Sequence, residues 1–240
     1  MHVTVADFVL VAGIILLGSV VQGSIGFGLN LLGAPFVAIV VPEAVPATMV
    51  LVAAPLAIST FVREHHALDR VALPWMLAGA LPGTLLGLVI VDQVSGDSLA
   101  VLVGAITLTG VALSVSSPPV PVNTGTSLLA GFTSNVFGTA SSVGGPPVAL
   151  LLQHRDGPTA RATLGGFFSV SALLSLVGYL ATGVLGADQA LLALGLAPFM
   201  VAGLWASRHL HPLVDAGWLR PAVLALSAIA GVTAIAHGLA

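Results

Sequence analysis

Long apolar runs separated by short polar punctuation make up most of the chain. Six runs, at 44–62, 71–91, 98–114, 160–182, 188–206 and 217–237, approach the length of about 20 residues that crosses a bilayer as a helix. Between them lie FVREHHALDR (61–70), VDQVSGD (91–97), SSPPVPVNTG (116–125), HRDGP (154–158) and SRHLHPLVDAG (207–217). Two further stretches, 6–41 and 126–153, are apolar at both ends but rich in glycine and serine in the middle. Their centres read VVQGSIGFGLNLLGAPF and NVFGTASSVGGPP. The pattern predicts six spanning helices and two segments that break part-way.

The placement of charge gives the broken segments a direction. All six cations are arginine and fall as pairs: Arg63 and Arg70, Arg155 and Arg161, Arg208 and Arg220. Short loops rich in arginine stay cytoplasmic, so these three loops belong on one side. Two spans lie between the first and second pairs, so 126–153 must add an even number of passes. It is therefore predicted to be a hairpin, and the same reading of 6–41 puts the N-terminus outside. Each half then holds one hairpin plus three spans, in opposite orientations, with both termini outside. The units are 1–115 and 126–240, together one transport domain. Such inverted repeats place a substrate site where two broken segments correspond. GSVVQ (18–22) parallels GFTSN (131–135), Pro35 parallels Pro147, and PAT (46–48) parallels RAT (161–163).

Composition narrows the function classes. The chain of 240 residues is 57% hydrophobic and only 6% charged, against about 25% charged in a soluble domain. It is expected to be an all-α polytopic membrane protein with the lipid bilayer as its surroundings. No cysteine is present, which excludes disulfide and thiol chemistry. No basic cluster exists to grip nucleic acid. The N-terminal MHVTVADFVL lacks a basic n-region and a cleavage site, and reads as a retained first segment. No cofactor is expected, and a homodimer is compatible with this composition.

Unwound backbone at membrane depth is tolerated only where protein buries it or where it lines a polar cavity. The hairpin arms, 8–21 and 29–41 in the first half, are about 14 residues each, or roughly 21 Å at 1.5 Å per residue. Arms of that length reach past the midplane without crossing, so the two breaks should meet near the centre. The returning arms would begin there, turning helix N-termini and free N–H groups toward an anion. The candidate substrate-binding residues are Gln22, Gly23, Ser24, Gly26 and Gly28, with Asn135, Gly138, Thr139, Ser141, Ser142, Gly144 and Gly145 in the second half. No acidic or basic residue lies clearly inside a predicted span, since Asp7, Glu43, Asp188 and His237 sit near ends; a cation site or proton relay would show one. Arg161, at the cytoplasmic mouth, is expected to anchor the loop and to draw anions in. Leucine at Gly26 or Gly145 is expected to block transport, and leucine at Gly83 to reduce folded yield.

Other chemistry fits less well. Gly23, Gly26 and Gly28 do not make a G-x-G-x-x-G and follow no strand. Ser24 has no base within reach in the pattern, since His237 sits near the end of the last helix. His65, His66, His209 and His211 lie in arginine loops with no organised ligand set, so no metal site is expected. Gly79, Gly83 and Gly87 form a small-xxx-small ridge suited to helix packing.

QGSIGFG in the first half, GTASSVGGPP followed by RATLGGFF in the second, and LPWMLAGALPGTLLG between them resemble the sulfite exporter TauE/SafE family of bacterial membrane proteins. The resemblance covers essentially the whole chain. It implies a secondary transporter of the inner membrane that exports small anions such as sulfite, sulfonates or related organic sulfur anions, and not an enzyme. It also implies eight spans in two repeats of four, which six spans and two hairpins equal in number if each hairpin is drawn as one span, although the orientations then differ. An inside-negative potential favours export of an anion by about 2.3 kcal/mol per charge per 100 mV. The rival from another class is a passive anion or water channel.

Overall fold

A computed structural model describes residues 3–94, 97–116, 120–207 and 219–239, and the regular elements among them are helical. In order they are α1 (Val5–Ile25), α2 (Leu29–Val40), α3 (Ala47–Glu64), α4 (Ala72–Asp92), α5 (Asp97–Ser116), α6 (Thr124–Ser141), α7 (Gly145–Leu152), α8 (Gly157–Thr182), α9 (Ala187–Ser207) and α10 (Leu219–Leu239). Seven are long and apolar enough to cross a membrane: α1, α3, α4, α5, α8, α9 and α10. Six of these match the six apolar runs. Arg208, His209 and His211 lie outside the described residues.

Both broken segments double back. α1 starts on a capping box in which the Asp7 N–H donates to Thr4 Oγ1 and the Thr4 N–H donates to Asp7 Oδ2. It stops at Gly26, whose φ of 94° only glycine adopts freely. α2 then runs back along α1, with Leu29 beside Gly18 and Gly33 beside Ile14. α6 starts on a reciprocal Asn123–Thr126 cap and stops at Ser142, which is left-handed at φ 65°. The chain returns so that Gly144 lies beside Gly138 and Ser134.

The arms are unequal, which corrects the expectation of about 14 residues each. The outgoing helices have 21 and 18 residues, the returning ones 12 and 8. α1 is thus roughly 31 Å long, the length of a full span. The reason lies in its small residues. A Cβ on Gly23 would strike Ser207 on α9, so GSVVQGS continues the helix as a close-packed seam and does not unwind.

Close backbone approach organises the rest. On α4, side chains at Gly79 and Gly83 would overlap the carbonyls of Leu128 and Phe132 on α6, and one at Gly87 would strike Thr139. Gly203 of α9 meets the Leu16 carbonyl of α1, and Gly165 of α8 meets the backbone of Phe61 on α3. α5 and α10 cross where Gly104 and Gly231 abut each other's carbonyls. Without a hydrophobic force between helices in lipid, such small-residue contacts drive association. Trp75, Leu85, Val89, Leu173, Leu194 and Trp205 point outward, as lipid-facing positions do.

Two apolar cores result. One joins α1, α2, α3, α5 and α9 around Ile15, Val37, Met49 and Leu196. The other joins α4, α6, α7 and α8 around Met76, Leu152 and Phe167. Phe27, in the first break, packs against both. At one end of the bundle Arg155 pairs with Asp69 at 2.7 Å and Arg161 with Glu64 at 2.9 Å. At the other, Thr48 donates to the Gln189 carbonyl and Gln189 Nε2 donates to the Glu43 carbonyl. Two of the three arginine pairs therefore share one end.

Candidate functional site

The two breaks open onto one cavity at mid-length of α3 and α8. Its walls come from Val50 to Ala57 on α3, Phe168 to Ser175 on α8, Gln22 and the start of α2, and Ser134 to Gly145 across the second break. About 80 Å³ is open to the centre of a water-sized body. At roughly 10–15 Å³ per water in that measure, it holds about five to eight waters or one small ion. Among the described residues, no acidic, basic or histidine side chain lines it.

Seven of the predicted binding residues border this space: Gln22, Gly28, Asn135, Gly138, Ser142, Gly144 and Gly145. The other five do not. Gly23 faces α9, and Gly26 lies against the stem of Arg161. Ser24 donates to the Val20 carbonyl at 2.8 Å and Ser141 to the Phe137 carbonyl at 2.8 Å. Thr139 shares a 2.8 Å hydrogen bond with Ser175. Arg161 lies against Gly26 of the first break, and its Nε donates to both Glu64 oxygens, at 2.9 and 3.1 Å. It ties α3, α8 and the first hairpin together.

Asn30, Ser134, Ser171 and Ser175 also line the cavity and were not among the predicted residues. Asn30 follows the glycine break by two residues, a signal within reach of the sequence. Ser171 and Ser175 lie on one face of α8, four apart, which becomes informative only once α8 is known to pass the breaks.

The lining hydroxyls divide into two sets. Ser134 donates to the Gly144 carbonyl and Ser175 is engaged with Thr139. By contrast Ser142 Oγ, Ser171 Oγ and Asn30 Oδ1 are buried with no partner. An orphaned buried polar group costs about 1–3 kcal/mol, and three in one cavity mark a place where something else supplies the bonds. Ser142 is also the one non-glycine residue with positive φ among those described, a strained backbone of the kind that clusters at binding sites.

Backbone donors add to this, unequally. In α2 the Leu29 N–H is taken by Gln22 Oε1 at 3.3 Å, and the N–H groups of Asn30 and Leu31 fall in the first turn, where helices leave donors free. In α7 the first turn is Gly145-Pro146-Pro147, and proline has no N–H. Only Gly145 offers one there. The expectation of two equivalent N-terminal cradles therefore reduces to one and a half.

A model of the family described as Sulfite exporter TauE/SafE matches residues 10–234, nearly the entire chain. The chain belongs to the sulfite exporter TauE/SafE family. Neither a curated protein nor a solved structure matches it. Members of the TauE/SafE family are membrane transporters, so the chain is a membrane transporter and not an enzyme. Its multi-pass helical architecture agrees with that membership.

Proposed function

We propose that this TauE/SafE protein is a secondary transporter that carries a small anion, sulfite or a small sulfonate, outward across the bacterial inner membrane. The observation that carries the reading is the group of three unpartnered polar atoms, Asn30 Oδ1, Ser142 Oγ and Ser171 Oγ, in an uncharged cavity where both helix breaks converge. Neutral dipoles held in place bind an anion without the desolvation cost of a buried cation. They also release it more readily. The Asn30 amide is free to turn Nδ2 to the anion, because its two ends differ only by rotation.

Two inverted repeats, residues 1–115 and 126–240, are the architecture proposed for this movement. Exchanging α1–α5 for α6–α10 turns α4 on α6 into α9 on α1, and the pairs α3 on α8 and α5 on α10 into themselves. The helix pairs in contact support that exchange. The same exchange relates α1, α2, α3 and α9 of the first core, which also takes in α5, to α6, α7, α8 and α4 of the second. The buried positions of α9, namely Leu192, Leu196, Met200, Gly203 and Ser207, fall in register with Met76, Ala80, Thr84, Gly87 and Val91 on α4. Rocking of one core against the other would open the cavity to each side in turn. The arginine-bearing end, with Arg63, Arg70, Arg155 and Arg161, is proposed to face the cytoplasm, with both termini outside.

The test is the melting temperature of the purified, detergent-solubilised protein across sulfite, sulfate, thiosulfate, sulfoacetate, taurine, acetate, phosphate and chloride at matched ionic strength. A ligand at 100 times its Kd stabilises by about 2.7 kcal/mol. A selective rise with a small sulfur anion supports the assignment; an identical response to every anion rejects it.

A further inference from the structure

The orientation of Asn135 carries the reading of the cavity as an anion site one step further. We infer that the site selects an anion which itself carries one hydrogen-bond donor, a singly protonated oxyanion or an organic analogue, and that Asn135 reads this donor. The inference rests on the proposal above.

Asn135 is buried, and its Nδ2 donates to the Ala80 carbonyl at 3.2 Å and to Thr84 Oγ1 at 2.7 Å. The Thr84 hydroxyl gives its own proton to the Ala80 carbonyl at 2.9 Å, so it meets the amide as an acceptor. Both anchors on α4 accept, and this locks the carboxamide: reversed, Oδ1 would face a carbonyl oxygen and a lone pair. Asn135 lines the cavity, and the polar atom its α4 anchors leave over is Oδ1, which only accepts. Gln22 is held the opposite way. Its Oε1 accepts the Leu29 N–H, leaving Nε2, which only donates. The two carboxamides at corresponding places in the two halves therefore present opposite polarity to one cavity.

A bare oxyanion satisfies half of this arrangement. Its oxygens suit Gln22 Nε2, the Asn30, Leu31 and Gly145 N–H groups, and the Ser142 and Ser171 hydroxyls. Against Asn135 Oδ1 the same oxygen sets lone pair against lone pair. An O–H or N–H on the anion turns that repulsion into a hydrogen bond. Sites built to bond a substrate donor reject the analogue lacking it far more strongly than apolar pockets reject a missing methylene.

The probes are methylphosphonate, at a pH between its two ionisations, and methanesulfonate. Both are then tetrahedral monoanions of one size, and they differ by a single O–H. Dissociation constants come from calorimetry on the purified full-length protein, with sulfite as the reference anion. Methylphosphonate is expected to bind about tenfold or more tightly than methanesulfonate. The ratio should fall toward one in Asn135→Ala and shrink in Thr84→Val, where the amide loses one anchor. Should Asn135→Ala not fold, the wild-type ratio and Thr84→Val still decide. Equal affinities, or tighter methanesulfonate, with sulfite still binding, overturn the inference and leave the anion site standing. Stabilisation by sodium without any anion overturns it in favour of a cation at Oδ1. If neither probe nor sulfite binds, the anion site itself fails.

Discussion

Replacing Ser142 by glycine should make the empty protein more stable and the transporter worse. Three contributions follow from its position. The left-handed backbone at φ 65° costs a residue with a Cβ about 1–2 kcal/mol, which glycine relieves. The greater freedom of an unfolded glycine returns about 0.5–1 kcal/mol of that. The hydroxyl, buried without a partner, carries a desolvation cost of about 1–3 kcal/mol, part of which water in the cavity recovers. The sum is a gain of about 1 kcal/mol, or roughly 2–4 °C in melting temperature for a chain of this size. With anion bound the sign reverses, because a hydrogen bond to a charged group contributes about 1.5–3 kcal/mol. Sulfite affinity should fall about tenfold to a hundredfold. Ser142→Ala separates the parts: it keeps the strain, so it should lose the same affinity with a smaller thermal gain. The assay is thermal unfolding of purified protein with and without a sulfite titration. A Ser142→Gly protein that melts lower and binds sulfite as tightly as the wild type would refute the reasoning.

Further outcomes follow from the same geometry. Gly83→Leu drives a side chain into the Phe132 carbonyl and should collapse folded yield, overpacking alone costing about 1–3 kcal/mol; Gly145→Leu meets the Phe27 side chain and not a backbone and should lower yield less while abolishing transport, both read by size-exclusion profile and vesicle flux. Arg161→Gln exposes an uncompensated Glu64 at the first break and should slow anion flux, whereas the double change with Glu64→Gln should restore it; no rescue would assign Arg161 to direct attraction. Burial is the largest single influence on Asp69 and pushes its carboxyl up, but N–H bonds from Ala72 and Val71 and the Arg155 guanidinium together hold it below the usual carboxylate range. A lowered value means the stabilisation is fully present above the unfolded-state pKa and lost as pH falls through the folded one. The melting advantage of wild type over Asp69→Asn should therefore shrink on acidification below the usual aspartate range; a gap unchanged with pH would contradict this.

Much of the fold is legible because lipid leaves few options. The six long apolar runs became helices α3, α4, α5, α8, α9 and α10, and the glycine-rich centres became the two breaks. What could not be read was where a run of small residues stops being a seam and becomes a turn. GSVVQGS and QGSIGFG overlap and are both rich in glycine and serine, yet Gly23 is helical against Ser207 whereas Gly26 is left-handed beside Arg161. Only the partner helix decides that. The same holds for the site. Gln22, Asn135 and Ser142 were visible as polar residues near breaks, but Thr139 and Ser141 share that description and turn inward to protein partners. Ser171 and Ser175 sit far from either break along the chain. One repeat signal was readable and missed: G-x-x-P-x-x-x-x-G occurs at Gly79, Pro82 and Gly87 and again at Gly195, Pro198 and Gly203. The first lies on the helix that packs α6, the second on the helix that packs α1.

The central claim is that a small anion crosses by alternating access through the cavity between the two cores. Counterflow in proteoliposomes tests it most directly: vesicles loaded with unlabelled sulfite are diluted into trace radiolabelled sulfite. A carrier is expected to accumulate label transiently above equilibrium, saturably, and to lose this overshoot in Gly145→Leu. Uptake that rises to equilibrium without overshoot and scales linearly with concentration would contradict the account and identify a channel.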